Sequence, residues 1–295
     1  MIMKLLVSLF TAGVLFQHFA VAAEPAAKSA EPTNAAEAAA KKAAEDAVTE
    51  TQYQALVATL PPAQQAWEQV LQENLGNGFY LPIHKRARVK GQSTCWDFVA
   101  DDPKLPRVLL IGDSVSGGYT LAARKVLAGK VNLHKAPENC GPTANGLKKL
   151  DIWLASAPPA GAAPQSPAAS QWDVIHFNFG IHDRNTPPAD YEARLEQLVA
   201  RLEKTGAKLI WASTTPIPTD ESKKQTSESI VERNAIAARV MQKHGIPVDD
   251  LFTFITPHLA TAQNPNDVHF TGPGYQLLGQ QVADSISAVL AAKAP

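Results

Sequence analysis

No surplus of positive charge runs through this sequence: 27 Lys and Arg stand against 28 Asp and Glu, a formal net charge of −1. Without a basic face there is no electrostatic footprint for a phosphate backbone, which excludes nucleic-acid partners. No cluster of His, Cys and Asp falls at metal-ligand spacing, so no metal is expected. Gly112 has no lysine–serine pair downstream, so the chain lacks a phosphate-cradling loop and no cofactor is implied. The first apolar run, Leu5 to Phe16, stops at Gln17-His18. That is too short to span a bilayer comfortably, so no stable membrane insertion is expected. Cysteine is scarce: only Cys95 and Cys140 occur. No internal repeat is present.

What the 295 residues do contain suffices for one sizeable domain with additions. Lys4, the apolar core after it and the small residues Ala20-Val21-Ala22-Ala23 make residues 1–23 a secretory signal, with cleavage after Ala22 or Ala23. An exported, periplasmic or secreted chain follows from that. Residues 24–48 are dominated by Ala, Glu, Lys, Pro and Ser. They hold too little apolar surface to offset ordering and read as a solvated tether. Residues 49–104 read as an extension packed on the main domain. Pro61-Pro62 opens a helix with Trp67, Val70, Leu71 and Leu75 on one face, and Gly76-Asn77-Gly78 ends it. Lys85, Arg86, Arg88 and Lys90 read as a solvated basic loop.

The main domain, residues 105–295, is organised around Val108 to Tyr119. Four aliphatic residues between Pro106 and Gly112 describe a short strand buried on both faces. A helical pattern starts after Ser116. A serine at a strand-to-helix turn sits at the sheet's carboxyl edge beside free helix N–H groups, which suits a nucleophile and equally suits a plain N-cap. Further strands are read at 131–135, 172–179, 208–212 and from Ile246, with helices between them. The stretch 155–171 reads as an irregular loop. This alternation predicts a doubly wound α/β domain with a five-stranded parallel sheet and a site at the strands' carboxyl ends.

Three motifs add chemistry. Gly112-Asp113-Ser114, Gly180-Ile181-His182-Asp183 and Asp267-Val268-His269 occur in the order of the signature blocks of the SGNH (GDSL-type) hydrolases, and the chain from about Leu105 onward resembles that family. The resemblance implies a three-layer αβα, flavodoxin-like fold and a serine esterase. Ser114 would be the nucleophile and His269, in a polar loop before the last helix, its base. The family's oxyanion donors map onto the Ser114 N–H, a glycine after the second strand (Gly141, or Gly146) and His182, where the family has Asn. Asp183 would bind loop backbone. The family's acid, three residues before the histidine, maps onto Asn266, whereas the carboxylate is Asp267, two before. Either Asp267 reaches the imidazole or Asn266 orients it in a Ser–His dyad. A carboxylate alone can offset an imidazolium, which favours Asp267.

Cys95 and Cys140 suit an exported chain. Bridged, they would tie the extension to the proposed oxyanion loop, worth roughly 4 kcal/mol in the loop-entropy model; two free thiols are the other reading. The substrate expected is a small ester or acylated carbohydrate, with acetyl on carbohydrate or cell-wall polymer favoured. An O-acyltransferase and a non-catalytic carbohydrate-binding domain are the alternatives on the same scaffold. The sequence fixes no oligomeric state.

Overall fold

The computed structural model describes residues 34–157, 171–220 and 226–292. The signal segment 1–23, the start of the tether and most of the loop read at 155–171 lie outside the described residues. By internal contacts the chain forms two units, one up to Ala44 and one from Glu45 onward. Of the first, residues 34–44 are exposed helix, where a structureless tether was read. They belong to α1 (Asn34–Ala58), whose alanines are strong helix formers and whose one buried residue is Tyr53.

The second unit is built on a parallel sheet of β1 (Arg107–Ile111), β2 (Asn132–Lys135), β3 (Val174–Phe177), β4 (Lys208–Ala212) and β5 (Val248–Asp249). The strand order is β2-β1-β3-β4-β5, the doubly wound arrangement expected. Leu109 pairs with His134 on one side and Ile175 on the other, so β1 is an interior strand and its aliphatic run is needed on both faces. Alternate side chains feed two cores. Leu109, Ile111, Ile175, Phe177 and Trp211 face α5 (Thr143–Ala155), α6 (Pro188–Glu203) and α7 (Ser227–His244). Val108, Leu110, Val174 and Ile210 face α4 (Ser114–Val126) and α10 (Gly272–Ala291), with the short helices α8 (Leu251–Ile255) and α9 (Leu259–Ala262) beside them. Helix α6 buries Tyr191, Leu195, Leu198, Val199 and Leu202 completely, a stripe at helical spacing in which each aliphatic side chain contributes about 1.5–3 kcal/mol. Among the described residues no helix is long and apolar enough to cross a membrane.

Helices α4 and α10 touch almost backbone to backbone. A Cβ on Gly279 would lie 2.4 Å from that of Ala122, and one on Gly118 would lie 2.1 Å from the Tyr275 ring.

The extension holds α2 (Pro62–Asn74), a π turn (Gly76–Tyr80) and α3 (Leu81–Val89). Trp67, Leu71, Leu75, Leu81 and Trp96 form its own small core. The Trp67 indole donates to Trp96 O (2.7 Å) and the Trp96 indole to Ala136 O (3.1 Å). Asp102 and Asn132 bond each other through both backbone and amide groups, so the edge strand β2 is covered. The basic run is helical, contrary to the loop reading. Arg88 turns inward to Glu68 Oε1 at 3.1 Å. The same buried carboxylate accepts the Tyr53 hydroxyl at 2.7 Å and contacts His84 Nε2 at 2.9 Å.

Candidate active site

β1 ends at Ile111, and the chain turns at Gly112, where a Cβ would meet Ser116 Oγ at 2.7 Å; only glycine fits so close an approach. Asp113 caps α4, accepting the Val115 N–H at 2.9 Å. Ser114 is thereby the first residue of a helix and need not act as its cap. Its backbone N–H lies at the positive end of the helix dipole.

The histidine arrives from the far end of the chain. The loop before α10 is drawn tight by the Gln263–Phe270 bridge and by Asn264 N donating to His269 O (2.9 Å). Asp267 N donates to Asn264 O at 3.2 Å, and Asn266 adopts a left-handed conformation, φ 55°, one that asparagine tolerates better than most residues. This turn brings Asp267, two residues before the histidine, into reach. Asp267 Oδ1 lies 2.7 Å from His269 Nδ1 and also accepts the His269 N–H at 3.2 Å. His269 Nε2 lies 2.8 Å from Ser114 Oγ. One tautomer satisfies both contacts, with Nδ1–H donating to Asp267 and Nε2 accepting the serine proton. Burial pulls the Asp267 carboxyl upward, but bonds from the His269 ring and backbone, the imidazole charge and the Val268 N–H together hold it below its usual range.

Ser114, His269 and Asp267 are thus brought together, and Asn266 is not: among the described residues its side chain makes no hydrogen bond to His269. His182 lies exposed in the turn Ile181–Asp183, without a hydrogen bond to the other site residues. Gly141, at φ 64°, spends its N–H on a long 3.3 Å bond to Asn139 Oδ1. Gly146 drops out as an oxyanion donor, because it is buried inside α5 and its N–H goes to Pro142 O at 3.2 Å. Asp183 reaches further than its own turn. Its carboxylate accepts the N–H and hydroxyl of Thr143, both at 2.7 Å, and so caps α5 from another loop.

Cys95 and Cys140 are both free and buried, which corrects the bridged reading. Cys140 Sγ turns to Glu138 O at 3.7 Å, while Cys95 Sγ packs at Gly117. Burial pushes each thiol up to about 11, so neither is a ready nucleophile. Among the described residues no group of three or more His, Cys, Asp or Glu side chains could hold a metal ion.

Two features escaped sequence reasoning. Lys135, in a strand, is 1% exposed and donates to Gly112 O at 2.9 Å, immediately behind the turn that carries Ser114. Asn139 Nδ2 donates to the Tyr80 hydroxyl, tying the extension to the Gly141 loop. A lysine beside a histidine in a wholly buried strand was the available signal for the first.

Comparison with known proteins completes the picture. No curated protein matches the sequence. Among solved structures, the lipase/acylhydrolase from Enterococcus faecalis superposes with a TM-score of 0.53 at 21% identity, over 65% of this chain and 100% of that one. That likeness shows the fold. An acetylxylan esterase from Geobacillus stearothermophilus aligns at 0.49 and 13% identity, over 61% of this chain and 94% of that one. A family model described as the GDSL-like Lipase/Acylhydrolase family matches residues 110–277, a span that begins in β1 and ends in α10. The chain belongs to this family of ester-hydrolysing enzymes.

Proposed function

We propose that the protein is an exported serine esterase that removes an O-acyl group, acetyl foremost, from carbohydrate or cell-wall polymer. The observation that carries the reading is the unbroken relay from Asp267 through His269 to Ser114, at 2.7 and 2.8 Å. Ser114 Oγ attacks the ester carbonyl while His269 Nε2 takes its proton, and Asp267 offsets the imidazolium that forms. The proton then passes to the leaving alcohol, and water resolves the acyl-enzyme by the same steps with His269 again as base. The oxyanion forms beside the Ser114 N–H at the start of α4. The long Asn139 bond leaves the Gly141 N–H easily redirected, and we assign it and the exposed His182 as further donors. The signal-like first 23 residues support export, and export supports a polymer-bound alcohol.

Fluorophosphonate labelling and turnover of p-nitrophenyl acetate test the reading. A single adduct on Ser114, with Ser114→Ala inert, is expected. An adduct elsewhere, or Ser114→Ala with wild-type turnover, overturns it. Product analysis with a sugar acceptor present separates hydrolysis from transfer.

A further inference from the structure

A second cavity, with no residue of the serine relay in its lining, lies between α2, the 97–101 segment and the edge strand β2. Its volume is about 390 Å³, inside the roughly 300–1,000 Å³ range of small-molecule sites. Trp67 and Val70 of α2, with Phe98 and Val99, give it apolar walls. Two cations also line it, Arg124 from α4 and Lys135 from β2.

Neither cation is neutralised. Lys135, 1% exposed, gives its ammonium to two carbonyl oxygens, Gly112 O at 2.9 Å and Glu138 O at 3.4 Å, and so adds its positive field to the cavity rather than a contact. Arg124 Nε donates to Leu133 O at 3.0 Å. Among the described residues no hydrogen bond or ion pair joins either side chain to a carboxylate, and the terminal guanidinium nitrogens have no partner there. Burial draws the Arg124 guanidinium below its ordinary range, against the opposing influence of Cys95 and Asp97. Arg124 is only partly buried, so its unpartnered terminal N–H groups remain accessible as donors. The two carboxylates on the same wall are engaged elsewhere. Asp101 holds Arg107 Nε and His134 Nε2, both at 2.7 Å. Asp97 accepts Thr94 N at 3.1 Å and its hydroxyl at 3.3 Å.

From this we infer that the cavity is a binding site for an amphipathic monocarboxylate, its head group on Arg124 and its apolar tail against Trp67, Val70, Phe98 and Val99. The presence of Asp97 and Asp101 disfavours a dianion, which would meet them at close range. The apolar walls in turn disfavour a bare inorganic anion. The inference owes nothing to the chemistry at Ser114.

Isothermal titration of the full chain with octanoate, 1-octanol and acetate tests it. Octanoate is expected to bind one to one, at least tenfold more tightly than either the neutral alcohol or the tail-less anion. Arg124→Gln should weaken octanoate at least tenfold and leave octanol unchanged. Ala66→Trp, at an exposed α2 position on the cavity wall, should abolish octanoate binding without disturbing the core. In Ser114→Ala the affinity should be unaltered, which distinguishes this cavity from the catalytic cleft. Octanoate binding no better than octanol, or binding that survives Ala66→Trp, overturns the inference.

Discussion

Replacing Asp267 by asparagine isolates one charge. The side chain keeps its shape, and its carbonyl oxygen can still accept the His269 Nδ1–H, now 2.7 Å from Oδ1. What disappears is the negative charge opposite the imidazolium of the transition state. At an effective dielectric of about 20, suited to a pair near the surface, opposite charges 4 Å apart attract by roughly 4 kcal/mol, about a thousandfold in rate. The same exchange in a buried serine-protease triad costs about 10⁴. Here the Asp267 and His269 side chains are 45% and 39% exposed, so water screens part of the interaction and the smaller figure, ~10³, applies. The assay is kcat and KM on p-nitrophenyl acetate, with urea unfolding as a check on stability. KM should hardly move, because neither side chain is expected to touch the acyl group. Asn266→Gly is the companion variant. Glycine accepts the left-handed turn at no steric cost, so it should retain nearly full turnover. Near-wild-type kcat for Asp267→Asn, or a larger loss in Asn266→Gly, would refute the reasoning and leave a dyad steered by Asn266.

Two further outcomes follow from the extension and the thiols. Burial raises the Glu68 carboxyl, but His84, Tyr53 and Arg88 together bring it below its usual range. Its contribution to stability is therefore complete above the unfolded value of about 4.3 and is lost as pH falls through the lower folded value. Glu68→Gln should cost about 3 kcal/mol at neutral pH, since it takes the nearer carboxylate from a mostly buried Arg88 and leaves it only Asp97 at 3.9 Å, and should flatten the acid limb of a urea-midpoint against pH curve. An unchanged acid limb would remove Glu68 from the account. Cys95 and Cys140 should resist iodoacetamide in the folded protein at pH 8. Both should alkylate after denaturation without reductant, and two blocked sulfurs in that sample would restore the bridge.

The elements legible in the sequence were those written by local pattern. Val108 to Ile111, followed by Gly112, announced a buried strand and a close turn, while the helix read from after Ser116 in fact starts at Ser114, where the Asp113 cap opens it. The stripe from Tyr191 to Leu202 announced the face of α6. Asp267 was legible as the histidine's partner only through a charge argument, since its reach depends on the left-handed turn at Asn266. What stayed hidden rests on contacts between distant segments. The basic run in α3 looked solvated because Glu68, which receives Arg88, sits on another helix. Residues 34–47 looked structureless because they bury almost nothing, yet alanine propensity alone gives an exposed helix. The two cysteines could have met as readily as not, and their side chains turn to separate neighbours.

Gly118 and Gly279 have a consequence for catalysis itself. Helix α4 begins with Ser114, and α10 begins just after His269. Where the two rods lean on each other, the spacing between them is set by side chains that are missing. The serine–histidine gap is therefore fixed like the jaw of a caliper by the thickness of bare backbone, some distance from the reacting atoms. A single methyl at Gly279 would open that jaw. Because a misplacement of about 1 Å can cost a hundredfold in rate, such a protein could keep its sheet, its cores and all three relay residues, yet lose most of its chemistry.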